Sequence, residues 1–114
     1  MQVFESSAGE LSPSDFNEFC LPYLERIVRE VKARLRTAQI PLVPMVIFAR
    51  GAHHALEQLG SLGYDVVQID WTIDPATARA RVGPDVTLQV RVMEGGRGRL
   101  SCCYGLGMTV IAAL

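Results

Sequence analysis

The chain is 114 residues long, with 49% hydrophobic residues, 20% charged residues and a formal net charge of −1. That length bounds it to one domain at most, well short of the roughly 250 residues of a closed eight-unit α/β barrel. The near-neutral balance supplies no field to steer nucleic acid or an anionic membrane. The basic residues between Arg26 and Arg36 have Glu25 and Glu30 among them, the pattern of a solvated helix face.

The three cysteines, Cys20, Cys102 and Cys103, are odd in number and badly spaced for a disulfide framework. They are expected to be reduced thiols of a cytosolic protein. The first ten residues carry neither the basic nor the apolar stretch of a signal peptide. The apolar run Cys102–Leu114 is shorter than the about 20 residues a membrane span needs.

In chain order, Met1–Phe4 is apolar enough for a strand end, and Glu5–Gly9 reads as a loop. Ser12 is placed to cap a helix, with Pro13 at its first position, Asp15 three residues after the cap, and Leu11 and Phe16 positioned as a hydrophobic staple. Leu21, Leu24, Ile27, Val28, Val31, Leu35 and Ala38 follow helical spacing, with Glu25, Arg29, Lys32 and Arg36 between them. This predicts an amphipathic helix with one buried stripe, ended by Pro41 and Pro44. Met45–Ala49 is an unbroken apolar run, as expected of a strand apolar on both faces in a parallel sheet covered by helices. Ala52–Leu62 supplies a helix, stopped by Gly63, and Tyr64–Asp70 the next strand. Asp74-Pro75 starts another helix, which runs to about Val82 and stops at Gly83, before a strand beginning at Val86–Gln89.

Strands recurring about every twenty residues with helices between them predict right-handed βαβ units. Alternation alone leaves a barrel and an open doubly wound sheet both open. No glycine-rich phosphate fingerprint follows any strand, which counts against a dinucleotide-binding sheet. From Val90 to Leu114 the composition changes. This stretch has five glycines, Glu94 as its one acidic residue, no helical face and no caps, and the strand–helix rhythm is expected to stop.

In parallel α/β folds the chemistry lies where strands end. Ser6, Arg50 and Asp70 follow the first three strands and are expected at one rim, a polar, anion-tolerant mouth. Loop solvation and capping is the plainer explanation of each. His53 and His54 point about 100° apart on a helix and have no cysteine or carboxylate at a ligating spacing, so no metal site is expected there. Cys102-Cys103 is not a CxxC pair. Gly95-Gly96-Arg97-Gly98 has the glycines of a phosphate loop without its lysine or following helix, and is expected to be a flexible stretch. Trp71 is expected to be a packing residue. No nucleophile–base pair, carboxylate pair or metal cluster can be assembled from these residues.

The segments MQVFESSAGELSP, FNEFCLPYLERIVREVKARL and PMVIFARGAHHALEQLGSLGYDVVQIDWTIDPATARARVGPDVTLQ resemble the uroporphyrinogen decarboxylase family. The resemblance runs from Met1 to Gln89 and is nearest the animal form. FES-x-AG, F-x-x-F-x-LPY, PM-x-IFA, GY-x-VV-x-x-DW and VG-x-x-VTLQ stand in the family's order and spacing. The resemblance implies a (β/α)8 barrel, of which residues 1–89 would hold three to four βα units without closing it. It implies a cytosolic homodimer that removes the carboxyl groups from the four acetate arms of uroporphyrinogen to give coproporphyrinogen in haem biosynthesis. It also implies that no metal or organic cofactor is used. The protonated pyrrole serves as electron sink, while the protein supplies charge complementarity to the carboxylates and an acidic group to the pyrrole nitrogens.

Carried over residue by residue, the resemblance makes Ser6 a substrate-binding residue. Ser7 departs from the histidine or tryptophan usual at the next position. The family's arginine motif, its central aspartate and its active-site tyrosine would precede Met1, and its late histidine would follow the matching stretch. No residue here, Arg50, Asp70, His53 and His54 included, is carried over as catalytic. The family continues past Gln89 with Gly-Asn-x-Asp-Pro, where this chain reads Val90-Arg91-Val92. Because valine codons begin with GT, residues 90–114 are expected to be translated intron or a shifted frame, and Met1 an internal methionine. The expectation is a chain inactive by itself. One alternative is a non-catalytic piece that associates with full-length subunits through exposed sheet edges, itself marginally stable or molten. Another is a relative of the corrinoid-dependent methyltransferases, which would need zinc-binding histidine and cysteine residues.

Overall fold

A computed structural model describes residues 1–92 and 108–112, with 91–92 and 108–112 described as backbone. Five strands form one open, wholly parallel sheet: β1 Gln2–Glu5, β2 Val46–Ala49, β3 Val66–Ile69, β4 Thr87–Val92 and β5 Met108–Ala112. Their spatial order is their chain order. With no reversal, right-handed crossovers all lead to the same face.

The first crossover is one helical run in three parts. Ser12 Oγ accepts the Asp15 amide at 3.1 Å, and Pro13 opens helix α1, Pro13–Asp15. One π-helical turn, Phe16–Cys20, follows, in which the Leu21 amide donates to the Phe16 carbonyl. Helix α2, Leu21–Thr37, continues from it. Pro22 accounts for the widened turn, because it has no N–H to donate and its ring must clear the carbonyl one turn back. Helix α2 buries Leu24 and Val28, whereas Ile27 is 39% exposed and Ala38 is exposed, contrary to the expected stripe. Ala38 lies past the last helical turn. Ile27 lies on the flank opposite Lys32. Lys32 reaches Gly63 and Asp65 ahead of β3, so the Ile27 flank, with exposed Tyr23, faces the free β1 side.

A 3₁₀ turn, His53–Ala55, leads into α3, Leu56–Ser61, which buries Leu56 and Leu59. In α4, Pro75–Val82, Asp74 Oδ2 accepts the Thr77 amide at 2.8 Å. Gly63 and Gly83 close these helices at positive φ. Among the described residues, no helix is long and apolar enough to cross a membrane.

One face of the sheet carries Val3, Ile47, Val67 and Leu88 in one register layer, and Ala49, Ile69 and Val90 in the next. These pack with Phe16, Leu24, Val28, Leu56, Leu59, Ala78 and Val82 from the helical segments. Tyr64 is buried, and its hydroxyl donates to the Leu24 carbonyl at 2.9 Å. The opposite face carries Gln2, Phe4, Phe48, Gln68 and Gln89, alternating with the core residues. Among the described residues, the core helices pack on the first face, and Phe48 is nevertheless buried on the second. Gln2 Nε2 donates to Gln68 Oε1 across the intervening β2. Phe48, Gln68 and Gln89 are buried on this face, and exposed Phe4 meets Phe48 edge-on, with ring centroids 6.2 Å apart.

Strand β4 runs past Gln89 to Val92, and β5 pairs with it from Leu88↔Met108 to Val92↔Ala112. A fifth strand thus pairs beyond β4, inside the stretch where the strand–helix rhythm is expected to stop. The apolar, β-branched MTVIA stretch suits a strand laid along the edge of β4. Gly95-Gly96-Arg97-Gly98, the adjacent Cys102 and Cys103, and most of the expected divergent tail lie outside the described residues.

Candidate ligand-binding rim

Ser6, Arg50 and Asp70 each stand one residue beyond the C-terminal end of β1, β2 and β3. The Arg50 amide donates to the Glu5 carbonyl at 3.0 Å, and the Gly9 amide returns the contact to the Arg50 carbonyl at 2.8 Å. A Cβ on Gly9 would stand 2.9 Å from Gly51 Cα and 3.1 Å from the Arg50 carbonyl oxygen, and Gly51 has φ +71. The FES-x-AG turn can lie flat on the Arg50–Gly51 backbone because both contacting residues lack side chains.

This contact sets Ser6 beside Arg50. Ser6, Gly9, Glu10, Arg50 and Gly51 line a shallow depression of about 210 Å3. The side chains of Ser6 and Arg50 are exposed and make no hydrogen bond or ion pair among the described residues.

Asp70 behaves differently. It is 5% exposed and ties two loops together. Its Oδ2 accepts the Gly51 amide at 3.1 Å. Its Oδ1 accepts the Thr72 amide at 2.9 Å, the Thr72 hydroxyl, and a contact from His53 Nε2 at 3.3 Å. Thr72 Oγ1 and His53 Nε2 are themselves 2.9 Å apart. Burial pushes the Asp70 carboxyl up, but the bonds from Thr72, Gly51 and His53 together outweigh it and hold it below its ordinary range. The expected mouth therefore divides. Ser6 and Arg50 share a depression, while Asp70 is engaged by backbone amides and fixes the Gly51 loop from beneath.

The two histidines diverge. His53 joins Asp70, and His54 packs edge-on to Phe16 with centroids 5.4 Å apart. Among the described residues, no group of three histidine, cysteine or acidic side chains is placed to hold a metal ion. Burial, and then Glu5, push the Cys20 thiol up, away from thiolate chemistry. Trp71 is 50% exposed rather than packed, because it sits at the apex of the Asp70–Thr72 turn. Sequence reasoning missed Thr72, Glu10 and the Gly9–Gly51 contact. The D-x-T spacing of a side-chain-to-backbone turn was the available signal for Thr72.

A family profile described as uroporphyrinogen decarboxylase (URO-D) matches residues 1–91. The chain is 54% identical over 89 residues to the uroporphyrinogen decarboxylase of Homo sapiens, covering 78% of this chain and 24% of the relative. It is 50% identical over 90 residues to that of Schizosaccharomyces pombe, covering 78% and 25%. To that of a Picosynechococcus species it is 41% identical over 95 residues, covering 83% and 26%. The chain thus spans about a quarter of the length of the curated relatives it matches. With the family profile covering most of its residues, the chain belongs to the uroporphyrinogen decarboxylase family.

Proposed function

We propose that residues 1–89 are an arc of a (β/α)8 barrel and supply part of a porphyrinogen-binding mouth, in a fold that decarboxylates the four acetate arms of uroporphyrinogen to coproporphyrinogen without a metal or organic cofactor. The arc reading is supported by parallel strands in unreversed order with the core helices packed on one face. In such a fold, ligands bind at the C-terminal rim of the strands. The observation that carries the functional reading is Ser6, exposed at that rim and sharing a depression with an arginine that has no partner among the described residues.

In this reading Ser6 donates a hydrogen bond to the substrate, and the rim supplies positive charge to an acidic ligand. The proton to the pyrrole and the charge stabilisation of the transition state come from residues outside this chain. The chain alone is then inactive. It works in the cytosol only within, or docked on, full-length homodimeric subunits, and residues 90–114 are a divergent tail. The test is a chimera of the human relative whose matching 89-residue stretch is replaced by residues 1–89. The chimera is expected to convert uroporphyrinogen, and Ser6→Ala within it to raise KM. A folded chimera without turnover would sink the reading. Turnover by the 114-residue chain alone would sink its inactivity.

A further inference from the structure

We propose that Arg50 is the receptor for one carboxylate arm of the ligand, gripping it with its guanidinium while Ser6 donates a hydrogen bond from the neighbouring wall. This rests on the porphyrinogen reading for the identity of the ligand, but not for its carboxylate chemistry.

The sequence resemblance assigns Arg50 no role, so the argument is one of placement and pairing. Other arginines near the sheet are engaged. Arg79 donates to the carbonyls of Gly83 and Val86 at 2.8 and 2.7 Å, and Arg81 meets Glu57 at 2.6 Å. Arg50 stands one residue beyond β2, exposed in the depression it shares with Ser6, with no partner among the described residues. A planar guanidinium matches a carboxylate with two parallel N–H···O bonds.

The backbone beneath Arg50 is held at three points: its own amide on Glu5, its carbonyl by Gly9, and the next amide on Asp70. A group seated on such a base loses little freedom when a ligand arrives. The depression is small and shallow. It takes a carboxymethyl arm while the ring that bears the arm lies across the rim beside it. Glu10 lines the same depression, and its like charge opposes the arm. The site is therefore tuned below its maximum affinity, and neutralising Glu10 tightens it.

The experiment uses the full 114-residue chain with two probes. Uroporphyrin, the stable oxidised octacarboxylate, is followed by fluorescence. Phenylacetate, a single carboxymethyl group, is followed through the amide resonances of Gly9 and Gly51. Arg50→Met is expected to weaken uroporphyrin binding by about tenfold or more, the loss of a charge-assisted pair, and to abolish the phenylacetate-induced shifts. Glu10→Gln is expected to tighten both. Arg36→Met, at the far end of α2, leaves both unchanged. If Arg50→Met loses the fold, Arg50→Lys carries the test, because it keeps the charge without the fork and is expected to lose affinity several-fold. Uroporphyrin bound equally by native chain and Arg50 variants would overturn the receptor and leave the porphyrinogen reading standing. Arg50-dependent phenylacetate shifts without uroporphyrin binding would do the reverse. A native chain that binds neither probe would overturn the receptor.

Discussion

At the N-terminal ends of the strands, Asp65 accepts the Met45 amide at 2.8 Å and stands 3.0 Å from Lys32 Nζ, which also donates to the Gly63 carbonyl at 2.8 Å. Lys32 and Asp65 line a depression of about 190 Å3 with Leu42, Val43 and Pro44. At the C-terminal ends, a depression of about 210 Å3 holds Arg50 and Glu10, and neither makes an ion pair among the described residues. Size does not separate these two hollows, but charge pairing does. The lower rim has committed its ions to one another and to the backbone, which serves stability. The upper rim commits Asp70 to the backbone and leaves Arg50 and Glu10 without ion pairs among the described residues, as the proposed carboxylate site requires of Arg50.

The comparison breaks most sharply at Asp70. Asp70→Ala leaves the Gly51 and Thr72 amides without their buried acceptor and is expected to cost about 2–3 kcal/mol, read from the urea midpoint. A loss below that of the Asp65 variant would contradict the assignment of Asp70 as the organiser of the upper rim. Gly9→Ala drives a Cβ into the Gly51 backbone and is expected to cost about 1–2 kcal/mol. It also parts Ser6 from Arg50, so phenylacetate binding falls with it. Asp65→Ala, at a carboxylate whose side chain is 45% exposed, is expected to cost only about 1 kcal/mol after solvent screening, with no effect on ligand binding. Arg50→Met is expected to change stability by less than about 0.5 kcal/mol, the mark of a residue not used by the fold.

Acid sharpens the same contrast. The Asp70 carboxyl is held below its ordinary range in the folded chain. Its stabilisation is therefore present above the unfolded value of about 3.9 and is lost as pH falls through the lower folded value. In circular dichroism titrations below pH about 4, Asp70→Ala is expected to lose stability less steeply than the native chain. Equal slopes would remove Asp70 from the account.

Much of this was legible because it is local. Ser12 and Asp74 as caps, Gly63 and Gly83 as stops and the spacing of β2, β3 and β4 each depend on a few neighbouring residues. The shared rim of Ser6, Arg50 and Asp70 followed from parallel strands alone. What was illegible depends on partners distant in the chain. The division between an engaged Asp70 and an Arg50 without a partner among the described residues rests on Gly51, His53 and Thr72 reaching Asp70 from two loops. The contact of Gln2 with Gln68 across β2 joins residues 66 positions apart. Ile27 and Trp71 carry apolar side chains that composition places inside, but the helix flank and the turn apex place them outside. Pro22 was a visible signal for the π turn and was passed over because the apolar spacing on both sides is regular.

The unreversed strand order has a kinetic consequence. Val46 pairs with Val66, 20 positions on, and Val66 with Thr87, 21 positions on, whereas Gln2 waits for Val46, 44 positions away. Closing a loop about twice as long costs roughly 0.6 kcal/mol more in chain entropy. The β2–α3–β3–α4–β4 segment is thus expected to nucleate, with β1 and α2 condensing onto it afterwards. Mutations in β3 would then slow folding, while mutations in β1 would chiefly hasten unfolding. The turn that carries Ser6 would be the last part of the rim to assemble.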